Sequence, residues 1–234
     1  PLRNELYNSA DLLLPISKDI KNILINNYSV DKKKVFLSYL GVDNNFEFSL
    51  KAYSTFKIVS CSNLYSLKRV HLIFDVLLEL SKKIDIIWHH YGDGDQKEYI
   101  ENYMNSQNSS KISAVFFGHV DQDALKSNYL KNNYSWFINT SLYEGLPVSI
   151  MEAFSFGIPA IATNVGGTNE IVNSTNGILI EKFFDVKLVA DQIFEIWSDN
   201  KEYEKLRMQA YNTWLKNFNA SENYKIVIDK LHVL

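Results

Sequence analysis

The chain is predicted to be an α/β protein built on a doubly wound parallel sheet. Two observations carry that expectation. From Thr55 onward, short and almost continuously apolar runs alternate with segments whose apolar residues recur at helical spacing. Strands that are apolar on both faces belong to a sheet covered by helices on both sides, which is the parallel α/β arrangement. The composition agrees: 46% hydrophobic, 14% aromatic and 22% charged residues in 234 are globular values, which exclude disordered, collagen-like and coiled-coil chains.

Before that alternation, the run Ala10 to Ile16 reads as a buried strand. Ser17 then caps an amphipathic stretch carrying Ile20, Ile23 and Leu24. Lys34 to Tyr39 reads as a second strand, and Gly41 to Thr55 has turn composition, so a domain boundary is expected there. Phe56 to Cys61 is a strand and Leu67 to Ser81 a helix, with Val70, Ile73, Phe74, Leu77 and Leu78 on one face. Further strands are expected at Ile84 to Tyr91, Ile112 to Phe117, Trp136 to Asn139, Pro159 to Thr163 and Ile178 to Ile180. Past Glu181 the chain reads as helical over Val186 to Trp197, Lys201 to Trp214 and Glu222 to Leu231. The expected division is 1–45, 46–218 and a terminal helix within 219–234.

A net charge of -3 offers no general attraction for nucleic acid. The lone Cys61 rules out an internal disulfide and a cysteine-based zinc site, as suits a reducing compartment. No apolar run approaches the roughly 18 residues that span a bilayer. The sequons at Asn27, Asn108, Asn133, Asn139, Asn173 and Asn219 are read as chance products of an Asn-rich chain. The chain begins Pro1-Leu2-Arg3 without methionine and moves into a strand-like run, which suggests a piece of a longer polypeptide.

Ligands of such sheets bind where strand ends lead into helix N-termini. The richest segment there is EGLPVSIMEAFSFGIP, residues 144–159. Pro147 suits the first turn of a helix and Gly157 with Pro159 its end. The free N-H groups and positive dipole end lie beside Gly145 and Leu146, which points to a phosphate pocket. Glu144 and Glu152 flank it, roughly 12 Å apart along the helix. Carboxylates repel phosphate but accept from hydroxyls, so their complement is a phosphate joined to polyhydroxylated groups, as in a nucleotide sugar. The alternative is that Glu144 only favours the helix dipole and Glu152 is a surface residue.

The stretch SWFINTSLYEGLPVSIMEAFSFGIPAIATNVGGTNEIV, residues 135–172, resembles the signature of the retaining glycosyltransferases with the GT-B fold, family 4, or glycosyl transferases group 1. Members carry two glutamates separated by seven residues, as Glu144 and Glu152 are. The resemblance extends in order through Lys68, Gly92-Asp93-Gly94, Phe117-Gly118-His119-Val120 and Asn176-Gly177. It implies the donor-binding, Rossmann-like half of such an enzyme. Glu152 would bond ribose hydroxyls, Glu144 the transferred sugar, and the backbone at Gly145, Leu146 and Pro147 the diphosphate. Lys68 would neutralise the diphosphate and so, with Glu144, serve catalysis. Gly92 and Gly94 would form the family's G-x-G turn, and Gly118 and Val120 its base-binding turn, where the His119 side chain is incidental. Gly166-Gly167-Thr168 would lie near the donor.

One departure is visible: the arginine that family members carry five residues before the lysine is Asn63 here. Arg69 is a poor substitute, because its helix direction differs by about 100° from that of Lys68. Ser141 lines the same loop and could donate a hydrogen bond to phosphate, a turn serine being the plainer reading. Asp93-Gly94-Asp95 imitates a metal motif, but its place in a turn and the positive charge of Lys68 argue against a metal. His89 and His90, as strand neighbours, face opposite ways. Neither a metal nor another cofactor is expected; the nucleoside-diphosphate sugar is the donor substrate. The partners implied are that donor and a missing N-terminal acceptor domain, of which residues 1–45 would be a remnant and towards which the terminal helix, 219–234, would pack back.

The function expected is sugar transfer from a nucleoside diphosphate to a glycan or lipid-linked acceptor. The AT-rich flavour of the composition suggests bacterial surface polysaccharide synthesis, in the cytoplasm or peripherally at the inner face of the membrane. The rivals are a non-catalytic donor-binding subunit and a sugar-nucleotide epimerase of the same fold.

Overall fold

The computed structural model describes residues 2–46, 48–50, 55–107 and 109–232. Part of the irregular stretch expected before Thr55, and the sequon residue Asn108, lie outside them. The strands are β1 Phe56–Cys61, β2 Ile86–Tyr91, β3 Ile112–Phe116, β4 Trp136–Asn139, β5 Ala160–Thr163 and β6 Gly177–Ile180. They form one sheet in the order β3-β2-β1-β4-β5-β6, with every pairing parallel. The strand order reverses direction between β1 and β4, where Ile58 stands opposite Trp136 and Val59 opposite Phe137. The doubly wound reading is therefore correct, and the crevice expected of such sheets opens beyond the ends of these two strands.

The strand register explains the apolar runs. Ile58 and Trp136 point into one buried cluster, while their neighbours Val59 and Phe137 point into another. Successive side chains alternate across a strand, so a sheet with a core on each face needs apolar residues at both parities. The first cluster is closed by α3 Val70–Leu80 and α7 Val186–Ser198, the second by α6 Val148–Ser155 and α8 Asn200–Asn217. The remaining helices are α1 Leu2–Ser9, α2 Lys18–Asn26, α4 Lys97–Gln107, α5 Gln122–Asn132 and α9 Ala220–Leu231. Side-chain caps fix several starts: Ser17 accepts from Ile20 N at 3.2 Å and Asp121 from Ala124 N at 2.7 Å.

Four expectations need correction. The chain starts with α1 rather than a strand-like run; residues 2–9 contain no β-branched residue. Ala10 to Ile16 and Lys34 to Tyr39 do lie side by side, with Leu13 N to Lys34 O at 2.7 Å and Phe36 N to Leu13 O at 2.9 Å. They form only an isolated parallel bridge between Leu13 and Val35, because two extended segments with a proline at position 15 make a marginal ladder. The helix expected from Leu67 is broken: a 3-10 turn covers Ser66–Lys68, Arg69 is left-handed, and α3 starts after it. Pro147 is the N-cap of α6, not a residue of its first turn.

The segment after Leu40 is tied to the helical end of the chain. Val42 N donates to Phe218 O at 2.9 Å and Trp214 Nε1 to Val42 O at 3.0 Å. No helix among the described residues is long and apolar enough to cross a membrane.

Candidate donor-binding site

A cavity of about 370 Å³ opens where the strand order reverses. Its walls come from the loop after β1 (Cys61, Ser62, Asn63, Lys68), the end of β2 (Tyr91, Gly92), the turn after β3 (His119, Val120), and the loop into α6 (Glu144, Leu146, Pro147, Val148, Ser149). Segments remote in sequence thus converge because β1, β2 and β4 are neighbours in the sheet.

The polar centre is an ion pair. Lys68 Nζ lies 2.7 Å from Glu144 Oε1, with the two side chains 26% and 12% exposed. The same oxygen accepts from Ser141 Oγ at 2.6 Å and Asn139 Nδ2 at 3.0 Å. Three donors on one oxygen hold the carboxylate in place, and Oε2 carries no hydrogen bond from the described residues. Ser141 is therefore a carboxylate holder rather than an idle turn residue. Its signal, a serine three residues before the glutamate, is too common in turns to be read from sequence.

At α6, Pro147 offers no side-chain cap, and the N-H groups of Leu146, Val148 and Ser149 have no acceptor among the described residues. Such orphan donors at a positive helix end are what an anion requires. Gly145 is not in the cavity wall, yet a Cβ placed on it would meet nothing within 4 Å, so its neighbours leave room for a ligand.

The remaining residues named from sequence divide. Gly92 is in the wall, at φ 130, and a Cβ there would collide with the Ser62 carbonyl. Gly118 is not, but its carbonyl accepts from Gly92 N at 2.8 Å, which sets the turn carrying Val120 into the wall. Gly94 supports from behind: its backbone packs on Leu64, whose N-H donates to Asp93 O at 2.9 Å. Glu152 is outside the wall as well. Its Oε1 accepts from Gln122 Nε2 at 3.1 Å, and burial pushes its pKa up, against the pull of Gln122 and Lys126. Its charge reaches Cys61, which is in the wall; burial first and Glu152 second push that thiol to about 12. A thiol raised in this way favours its protonated form.

Sequence reasoning missed the network behind β2. Trp88 Nε1 donates to Ser60 Oγ at 2.9 Å, Ser60 Oγ lies 2.8 Å from His90 Nδ1, and His90 Nε2 lies 3.1 Å from the Ser62 carbonyl. The pattern is complete when Ser60 donates to Nδ1 and Nε2-H donates to Ser62. Burial lowers the His90 pKa to about 4, which keeps the ring neutral. His89, on the other face, lies 2.7 Å from the Tyr134 hydroxyl. Asp93 accepts from Gly94 N at 2.9 Å. Among the described residues no three His, Cys, Asp or Glu side chains gather as a metal site.

The family model described as glycosyl transferases group 1 matches residues 42–213. The chain is 31% identical over 175 residues to the uncharacterized glycosyltransferase MJ1178 of Methanocaldococcus jannaschii, covering 74% of this chain and 46% of that protein. It is 28% identical over 222 residues to the O-antigen biosynthesis glycosyltransferase WbnH of Escherichia coli, covering 94% of this chain and 60% of that protein. The chain thus spans about half to three fifths of these relatives. Anabaena Alr3699/HepE in complex with UDP-glucose superposes with a TM-score of 0.78 at 19% identity, over 100% of this chain and 67% of that one. The pneumococcal O-GlcNAc transferase GtfA in complex with UDP and GlcNAc gives 0.78 at 19% identity, over 95% and 45%. These structural neighbours have the GT-B fold, and at that identity they speak for the fold alone. Because the family match takes in the entire sheet and every loop that lines the cavity, the chain belongs to the glycosyl transferases group 1 family.

Proposed function

We propose that this chain is the donor-binding part of a retaining, family 4 glycosyltransferase that moves a sugar from a nucleoside diphosphate to a glycan or lipid-linked acceptor. The observation that carries the reading is the Lys68 to Glu144 pair at 2.7 Å, set against an uncapped helix start in the switch-point cavity. The ammonium and the orphan N-H groups at Leu146, Val148 and Ser149 are complementary to a diphosphate. The free Oε2 of Glu144 is an acceptor for a sugar hydroxyl, and Glu152 one for the ribose. As the bond from sugar to phosphate breaks, negative charge grows on the diphosphate, and Lys68 stabilises it without reorganisation. UDP-glucose in the HepE complex and UDP with GlcNAc in the GtfA complex support a nucleotide-sugar donor, and WbnH supports polysaccharide assembly, here on the cytoplasmic side. The acceptor site belongs, on this reading, to an N-terminal domain preceding residues 1–45.

Isothermal titration of the chain with UDP, GDP and ADP, each with and without EDTA, tests the reading. Binding of one diphosphate that survives chelation is the expected result. Failure of all three to bind, or binding that requires a divalent ion, would overturn it.

A further inference from the structure

Arg69 follows the pocket lysine and, although it is not glycine, is left-handed, at φ 48 and ψ 40. A non-glycine residue pays strain for that conformation, and it persists where the surroundings fix it. Here the surroundings are three loops. The guanidinium, 8% exposed as a residue, donates from Nε to Thr140 O at 2.7 Å and from Nη1 to Lys182 O at 2.8 Å, with Nη2 3.4 Å from Ser141 O. Thr140 returns the contact, its Oγ1 donating to Arg69 O at 3.0 Å and lying 3.2 Å from Lys68 O. Leu142 N donates to Leu67 O at 2.8 Å. The loops after β1, β4 and β6 are thereby bound into one rim. Ser141, whose carbonyl faces this fork, turns its hydroxyl to Glu144. Among the described residues no carboxylate lies within ion-pair distance of Arg69, so the side chain is committed to carbonyl oxygens.

We propose that Arg69 is the positioning residue of the donor site: its planar fork on the carbonyls of Thr140, Ser141 and Lys182 holds Lys68 and Glu144 in register for the diphosphate. The inference rests on the donor-binding reading of the same cavity. It assigns Arg69 no contact with the donor. A lysine cannot replace it, because a single ammonium cannot reach three carbonyls in a plane.

The experiment compares Arg69→Gly, Arg69→Lys, Lys68→Ala and Lys68→Ala with Arg69→Gly. Each chain is titrated with the nucleoside diphosphate that the unsubstituted chain binds and with the corresponding nucleoside, and melting temperatures are recorded. Glycine tolerates the left-handed backbone, so Arg69→Gly removes the fork without adding strain. Expected is a loss of about tenfold or more in diphosphate affinity for Arg69→Gly and Arg69→Lys, with nucleoside affinity nearly unchanged, since a misplaced ammonium affects phosphate alone. In the Lys68→Ala background, Arg69→Gly should add little to the loss, because the two residues act through one interaction. Equal losses for diphosphate and nucleoside, unchanged discrimination in both Arg69 variants, or full additivity in the double variant would overturn the positioning role while leaving the donor site in place. No binding by the unsubstituted chain would overturn the donor reading itself, and this inference with it.

Discussion

The hydroxyl of Tyr39 donates to Glu170 Oε2 at 2.7 Å, joining residues 131 positions apart. The same carboxylate accepts from Lys18 N at 2.9 Å and Asp19 N at 3.2 Å, so it caps the N-terminus of α2 from another part of the fold. Glu170 ends a 3-10 turn, Gly166–Glu170, whose Gly167 N donates to Gly145 O at 2.8 Å. One acidic side chain thus connects the N-terminal segment to the loop that carries Glu144. Burial, and secondarily Glu170, push the Tyr39 hydroxyl well above the ordinary tyrosine range.

Glu170→Ala should therefore destabilise the chain by about 1–2 kcal/mol, the cost of stranding the part-buried Tyr39 hydroxyl and losing two exposed caps of α2, while Glu170→Gln should recover part of it. Urea melts of both variants decide. A midpoint for Glu170→Ala equal to that of the unsubstituted chain would show that this carboxylate holds nothing.

The two glutamates of the site should separate by ligand. Glu152→Ala is expected to weaken nucleoside diphosphate and nucleotide sugar alike, by about 1.5–3 kcal/mol for a lost charged hydrogen bond. Glu144→Gln should not weaken the diphosphate, because it removes a negative charge beside Lys68, but should erase the extra affinity of the intact sugar. Calorimetry with both ligands reads the difference, and identical profiles for the two variants would refute the division of roles.

Gly145 and Gly92 should fail differently. Open space surrounds a Cβ at Gly145, so Gly145→Ala is expected to change stability by less than about 0.5 kcal/mol while reducing diphosphate affinity. Gly92→Ala forces a side chain into the Ser62 carbonyl at φ 130 and should lower stability by about 1–3 kcal/mol. Thermal melts paired with titration distinguish them; a Gly145→Ala chain that binds normally would remove that backbone from the site.

His90 gives the chain a definite acid sensitivity. Its folded pKa of about 4 lies below the unfolded value near 6.5, so the unfolded state takes up a proton first. The resulting stability is complete above about pH 6.5 and is lost as pH falls towards about 4, on the order of 3 kcal/mol in total. His90→Gln should flatten the stability curve across that window relative to the unsubstituted chain. Denaturation at pH 4.5 and 7 measures it, and an unchanged slope would assign the acid sensitivity to other groups.

The strands were legible because their apolar runs are local: β1 and β4 begin and end where the sequence places them, and the other four within two residues. Lys68, Glu144 and the start of α6 were legible because strand ends and helix starts are marked by residue type, and their spacing resembled a known family. What only the tertiary structure decided is which of these ends meet. Glu152 is on the same helix as the cavity wall yet outside it, since helix rotation is set by packing on the second core cluster. The left-handed Arg69 interrupts a stretch with good helical period, and its guanidinium bonds carbonyls of Thr140 and Lys182, 71 and 113 positions away. The bonds of Glu170 to α2 span 151 and 152 positions. Sequence periodicity reports the burial of one element at a time, whereas such contacts exist only after the parallel sheet has brought β1, β4 and β6 to one edge.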